Sequence, residues 1–597
     1  MEKRQIRILA IAFAATLIAT LGIVFLVRLV IWPGIQRVMT TSSPRGNLVR
    51  FHDHWNLDPN IPNLVWGGTR ITSGMPPLVQ ERDGDYFSYI PVTFLREHID
   101  PFWFWDEGAQ VLFASTRYEI LEFTPEERTF YINNTPHQLN AVIRRIGNEF
   151  FVPQDLIKSL YPLTISFHSE YNMVVMDVAT ESRTRATVVG NRIPVHYLPN
   201  SRAPITIELS QGDRVLFFGD EVDGFQRVRT EEAGLLGHIE IANLQDITVI
   251  QPPQLNNNWL LGRAVDNTTH APLTWREPIN MVWEAIYVQA ANANLMQTPF
   301  HSSVNVVSPQ WFRISPDGSF LESIASRAYV DWAHQQGVSV WPMVFDVTED
   351  GRVGAFLRDR ETRQAAIKQL LYFIETFNLD GLNIDFEHLV LADGPYKIQF
   401  LRELSVAVRQ QIDREIILSA AVKVPLAATM FYRRDLIGLT LDFVMVMTYD
   451  EHWATSPTIG PVASLGFVEW GVTNMLREVP RDRLVMGLPF YNRIWREDIL
   501  SDVRPRALHL GMEATRDLFE EHGVEWVWDA TIGSYFGEVV ILNEGVTIIH
   551  RVWLEDERSI AEKMRIFYEN SLAGVASWRR GFENPATWEA IARYISP

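Results

Sequence analysis

The spacing of apolar residues changes several times along this chain, and each change marks a segment with a different structural expectation. Ile8 to Val27 is uncharged and mostly apolar, long enough to cross a bilayer as one helix. Residues 33–77 are rich in Pro, Gly, Asn and Ser and lack a period, which predicts a stalk. An internal duplication begins near residue 78. "YIPVTFLREHIDPFWFWDEGAQVLF" at 89–113 is echoed by "FVPQDLIKSLYPLTISFHSEYNMVV" at 151–175, with Pro91 against Pro153 and Val111 against Met173. Each half predicts a short helix after the proline, then a pair of alternating strands. Residues 184–250 read as short β runs separated by Asp-Gly and Gly turns, the pattern of a small barrel. A linker over 251–274 opens with "QPPQLNNNW".

From about residue 275 apolar strand-like runs alternate with amphipathic helices. The runs are 279–287, 304–312, 338–345, 379–387, 416–424, 442–450, 483–491 and 574–581. Helical spacing is clear at 361–377 and 398–412. Eight such strands predict an α/β fold, a (β/α)8 TIM barrel over 275–597. The long interval 492–573 predicts a small α+β insertion before the last strand. The remaining expected units are a cytoplasmic tip and transmembrane helix (1–32), the stalk (33–77), and two small β-rich domains (78–180 and 184–250).

Composition narrows this picture. Lys and Arg number 53 against 72 Asp and Glu, a net charge of 53 − 72 = −19, which argues against a nucleic-acid partner. The absence of cysteine excludes disulfides and thiolate metal sites. Lys3, Arg4 and Arg7 precede the apolar run, and no small-residue cleavage site follows it. An uncleaved anchor is expected, with the tip inside and everything after about residue 33 outside. A cleaved secretory signal is the alternative.

The stretch "LDGLNIDFEHL" at 379–389 carries the chemistry. Asn383, Asp385 and Glu387 alternate with Leu382, Ile384 and Phe386, so the three polar residues face the barrel lumen while the apolar ones face the helix layer. They sit at the C-terminal end of a strand, where barrel active sites are built. A structural polar cluster is the bland alternative. Two carboxylates suggest glycoside hydrolysis, yet neighbours on one strand face lie only about 7 Å apart and project the same way. They cannot easily flank a sugar as acid and nucleophile do in the usual retaining pair. One carboxyl can protonate the leaving oxygen while the other orients a nucleophile supplied by the substrate.

"DGLNIDFE" resembles the DGxDxDxE signature of glycoside hydrolase family 18, the chitinase-like barrels. Asp380, Gly381, Asp385 and Glu387 match, and Asn383 replaces the middle aspartate. The resemblance implies Glu387 as general acid/base, Asp385 as the partner of the 2-acetamido group, and Tyr449, in "VMVMTYD", as donor to the acetamido oxygen. It implies substrate contacts from Asp380, Asn383, Asp450 and Met447. Trp578 would form the floor of the sugar site, and Trp283, Tyr491 and Trp553 would line the groove. Asn383 removes like-charge coupling to Asp385 but retains a hydrogen bond to donate to it. "NIDFE", "MTYDEHW" and "GLPFY" resemble the spore- and wall-associated branch of the family. No cofactor and no metal is implied.

Residues 78–180 resemble the duplicated domain named after the N-terminal domain of copper amine oxidases, without a histidine cluster for copper. "GFQRVRTEEAGLLGHI" resembles a bacterial SH3-like domain, and an anonymous β spacer is the alternative. The expectation is a single-pass cell-membrane protein with an extracellular glycosidase that cleaves β-1,4 bonds next to N-acetylglucosamine, in peptidoglycan or in chitin. A non-catalytic carbohydrate-binding wall protein and a structural surface protein with a vestigial barrel are the competing readings. The N-terminal modules would be dispensable for turnover, so a chain starting near 255 would stay active on soluble oligosaccharides.

Overall fold

The computed structural model describes residues 48–49, 58, 60–252, 258–347, 350–498, 506–543 and 546–595. The expected Ile8–Val27 anchor lies outside them. Among the described residues, no helix is long and apolar enough to cross a membrane.

The chain forms two compact units, neither of them continuous in sequence. The first combines residues up to Leu95 with Asn140–Val265. It holds two four-stranded sheets and a seven-stranded antiparallel sheet built from Arg183–Ile250. The two prolines aligned in the sequence hold matching positions here. Strands Asp85–Pro91 and Glu149–Pro153 each end on the aligned proline, pair antiparallel with Pro91 opposite Phe151, and lead into helices Val92–His98 and Gln154–Leu160. Part of the expected stalk is instead ordered. Asn63–Trp66 pairs in parallel with Met173–Val178, and Val65 is fully buried. Four residues, "NLVW", are too few for a period to register; their partner strand fixes them.

The second unit combines Arg96–Leu139 with Asp266–Pro597. Its centre is a closed barrel of eight parallel strands: β1 Ile279–Glu284, β2 Val306–Ile314, β3 Met343–Phe345, β4 Gly381–Asp385, β5 Ile417–Lys423, β6 Phe443–Met447, β7 Leu484–Pro489 and β8 Gly574–Trp578. Closure is explicit in the register, with Ile279 of β1 opposite Gly574 of β8 and Met281 opposite Val306 of β2. All eight strands fall where the apolar runs place them. Helices α1 Arg327–Gln335, α2 Arg360–Phe377 and α3 Gly394–Gln411 follow β2, β3 and β4. Ser326 and Asp359 cap α1 and α2 by accepting from backbone N–H groups of their first turns. Between β7 and β8 stands the expected insertion, a five-stranded antiparallel sheet with helix Met512–Glu521.

Residues 103–138 form a second five-stranded antiparallel sheet, and within this unit it is joined to the outer faces of α2 and α3 by buried charge. Asp106 and Arg363 are both fully buried and pair at 2.7 Å. Arg402 donates to the Ser115 carbonyl at 2.7 Å and to Asn267 Oδ1 at 3.0 Å, with its guanidinium 3.8 Å from the Phe102 ring centroid. Asn267, in the expected linker, donates to both oxygens of the buried Asp100. The expected 78–180 domain is therefore divided between the two compact units.

Candidate active site

β4 begins at Gly381, where a Cβ would lie 2.5 Å from the Ile417 carbonyl oxygen and 2.7 Å from the Trp341 ring. Only glycine lets β4 pass that close to β5. Asn383 and Asp385 then point inward, because the groups that Asn383 meets come from across the lumen. Its Oδ1 accepts from Trp283 Nε1 at 3.1 Å, and its amide nitrogen donates to Ser419 Oγ at 3.0 Å and to Met445 Sδ at 3.5 Å. This corrects the expectation that Asn383 donates to Asp385: its amide is spent on β1, β5 and β6. Trp283, 1% exposed, is likewise a buried partner of Asn383 and does not line a groove.

Asp385 is buried, and its Oδ1 has no hydrogen-bond partner among the described residues. Burial, then the neighbouring Glu387 and Asp346, push its carboxyl well above the usual range, while Lys397 and Lys423 pull it back. Glu387 is one-third exposed at the mouth and pairs with Lys423 Nζ at 3.2 Å. Asp346, just past β3, holds the chain after β4. It accepts from the Glu387 N–H at 2.8 Å, the His388 N–H at 3.0 Å and His388 Nδ1 at 2.7 Å. Two of these bonds go to backbone, so the direction of the Glu387 side chain is fixed by β3.

Tyr449 follows β6, and Met445 and Met447 share its face. Burial and the charges of Asp385 and Glu387 raise the Tyr449 hydroxyl well above its ordinary value, so it remains a hydrogen-bond donor at any working pH. The Tyr491 ring stands edge-on to it at 6.2 Å. Asp450 has φ 58°, which turns its carboxylate toward Tyr491 Oη and Arg493, both donating at 2.5 Å. Trp578, at the end of β8, is partly exposed with its ring 6.1 Å from that of Trp283.

The structure brings together Asn383, Asp385, Glu387, Met447, Tyr449, Asp450, Tyr491 and Trp578. Asp380 is elsewhere. It precedes β4 at the opposite end of the barrel, where it accepts from His334 Nε2 at 2.7 Å and from the Val340 N–H at 2.8 Å. The expected substrate contact from Asp380 is replaced by a structural role: it ties α1 and the segment before β3 to the start of β4. Trp553 packs against Phe536 in the inserted sheet, its ring tilted by 55°. Four polar residues of the site were not singled out in the sequence: Asp346, Lys397, Lys423 and Arg493. Asp346 and Lys423 were findable as lone charges ending apolar strand runs; Lys397 and Arg493 carry no local signal. Among the described residues, no cluster of three or more His, Asp or Glu is placed to hold a metal ion.

Residues 347–583 match the family model for glycosyl hydrolases family 18. The chain is 22% identical over 314 residues to the uncharacterized glycosylase YvbX of Bacillus subtilis, covering 50% of this chain and 86% of that protein. It is 25% identical over 293 residues to the cortical fragment-lytic enzyme of Bacillus anthracis, covering 47% of this chain and 65% of that one. The crystal structure of the Bacillus cereus spore cortex-lytic enzyme SleL superposes with a TM-score of 0.46 at 20% identity, over 54% of this chain and 76% of that one. Residues 347–583 thus carry a glycoside hydrolase family 18 domain, and Glu387 just past β4, Tyr449 after β6 and Trp578 ending β8 stand in its barrel mouth.

Proposed function

We propose that this barrel hydrolyses β-1,4 bonds next to N-acetylglucosamine in peptidoglycan, with retention of configuration and with the substrate's own acetamido group as nucleophile. The observation that carries the reading is the division between two carboxyls on one strand face. Glu387 is accessible and can reach a glycosidic oxygen once Lys423 yields it, whereas Asp385 is buried, with its Oδ1 unpartnered among the described residues. On the far side of the mouth, Asp450 is occupied by Tyr491 and Arg493, which leaves it poorly placed as an enzyme nucleophile. In this scheme Glu387 protonates the leaving oxygen while the acetamido oxygen attacks the anomeric carbon. Asp385 takes the proton or positive charge that develops on the acetamido nitrogen, and Tyr449 donates to the acetamido oxygen. Water, deprotonated by Glu387, then opens the intermediate at the same carbon.

Peptidoglycan is preferred over chitin because one of the relatives above is named a cortical fragment-lytic enzyme. Mass spectrometry of products from purified peptidoglycan and from chitooligosaccharides tests both points. Muropeptides with reducing N-acetylglucosamine ends of retained configuration are expected. Turnover of chitooligosaccharides alone would favour the chitinase reading, and an inverted first product would exclude the substrate-assisted route.

We also propose that the apolar run Ile8–Val27 anchors the intact chain, with the barrel outside the cell. The missing cleavage site supports this. Cell fractionation should find full-length protein in membranes. A mature form starting near residue 40, recovered only from the medium, would refute it.

A further inference from the structure

The 597 residues include only six lysines, and one of them, Lys397, is fully buried behind the end of β4. It stands on the first turn of α3, on the helix-layer side of the strand. Its Nζ lies 3.4 Å from the backbone oxygen of Phe386, the residue between Asp385 and Glu387. It also lies 4.2 Å from the ring centroid of Tyr432, a cation–π contact that partly replaces lost water.

An ammonium in a dry interior is costly, and chains keep one only where it interacts with charge. The charged and titratable groups facing it are Asp385 from β4, Glu387 just after β4, Asp346 after β3, and Tyr432 and Arg434 after β5. Burial draws the Lys397 pKa down to about 7; Asp385 and Asp346 oppose that fall, Arg434 adds to it, and Glu387 opposes it more weakly. Lys423, the other lysine at the site, is 44% exposed and already pairs with Glu387. Solvent and salt screen it, whereas a charge in the dry layer behind the strand acts at low dielectric. Asn383 is neutral and spends its amide elsewhere, so it cannot share a proton with Asp385.

We propose that Lys397 is a positioning residue whose ammonium, set behind β4, supplies the countercharge that lets the buried Asp385 ionise as the acetamido group becomes positive. The proposal rests on the substrate-assisted reading above. It assigns Lys397 no contact with substrate and no covalent step.

Two measurements test it. In Lys397→Met the acidic limb of the kcat/KM profile should move up by about 1–3 pH units, the effect of losing one nearby opposite charge. In Lys397→Arg, which keeps the charge, the limb should move far less. A folded Lys397→Met enzyme with an unmoved limb, or an Arg variant that moves as far as Met, overturns the proposal. The second measurement needs no neutral variant at position 397 and no turnover. In full-length protein carrying isotope-labelled lysine, one of the six lysine resonances should titrate near neutral pH. Coupling is reciprocal, so that midpoint should fall in Glu387→Gln and in Asp385→Asn. An unchanged midpoint in both overturns the proposal. A moved midpoint combined with an inverted product would leave the electrostatic coupling standing and remove the substrate-assisted reading instead.

Discussion

Glu387→Gln is expected to lower kcat by the 10²–10⁴-fold typical of losing a general acid, with KM for an N-acetylglucosamine oligosaccharide changed much less. The amide preserves the shape at the mouth, and the backbone N–H of residue 387 still donates to Asp346, so folding is not the cause. Asp385→Asn should be comparably severe for a different reason: the amide cannot take charge from the acetamido nitrogen. The two variants separate on substrate. Removing the substrate's 2-acetamido group should cost the native enzyme about as much as Asp385→Asn costs it, and should cost the Asn variant little more. Steady-state kinetics on paired substrates with and without the acetamido group check this. Equal activity of native enzyme on both substrates would refute the assignment even if Glu387 proved essential.

Asp106→Ala is expected to destabilise the catalytic unit by about 3–5 kcal/mol, the cost of breaking a buried ion pair by removing one partner. Arg363 is fully buried and would keep Glu403, at 3.5 Å, as its remaining carboxylate. Truncation to a chain starting near residue 255 goes further. It removes Asp106, the Ser115 carbonyl and Asp100 together, and so strips partners from Arg363, Arg402 and Asn267. The expectation from sequence, that such a truncation keeps turnover on soluble oligosaccharides, is therefore replaced. Turnover should be lost with stability, and a chain that joins 96–139 to 266–597 should recover both. Urea denaturation followed by near-ultraviolet circular dichroism measures the first effect. An Asp106→Ala midpoint within error of native would show that the interface carries little free energy.

Local pattern was sufficient for the barrel and for the strand that carries the candidate carboxyls. Parallel strands buried on both faces are written as continuous apolar runs, and inward polar residues must break such a run at period two, as Asn383, Asp385 and Glu387 do. Tyr449 and Trp578 were legible through the family resemblance, since by pattern alone an aromatic residue ending a strand reads equally well as core. What the sequence could not supply is any interaction between residues distant in the chain that obey no common period. The amide of Asn383 could have served Asp385, and only the packing of β1, β5 and β6 around it shows that it serves Trp283, Ser419 and Met445. Asp380 belongs to the same motif as Glu387 but sits at the other end of the strand, because seven residues of extended chain carry it about 20 Å away. Lys397 looks like any polar residue in the first turn of a helix until α3 docks on β4 and places it behind the carboxyls. The sheet of residues 103–138 begins inside the first half of the duplication, 89–113, and by local pattern that part belongs with the other half. The pairing of Asp106 with Arg363, 257 residues away, assigns it to the barrel, because a buried charge must be neutralised wherever in the chain its partner lies.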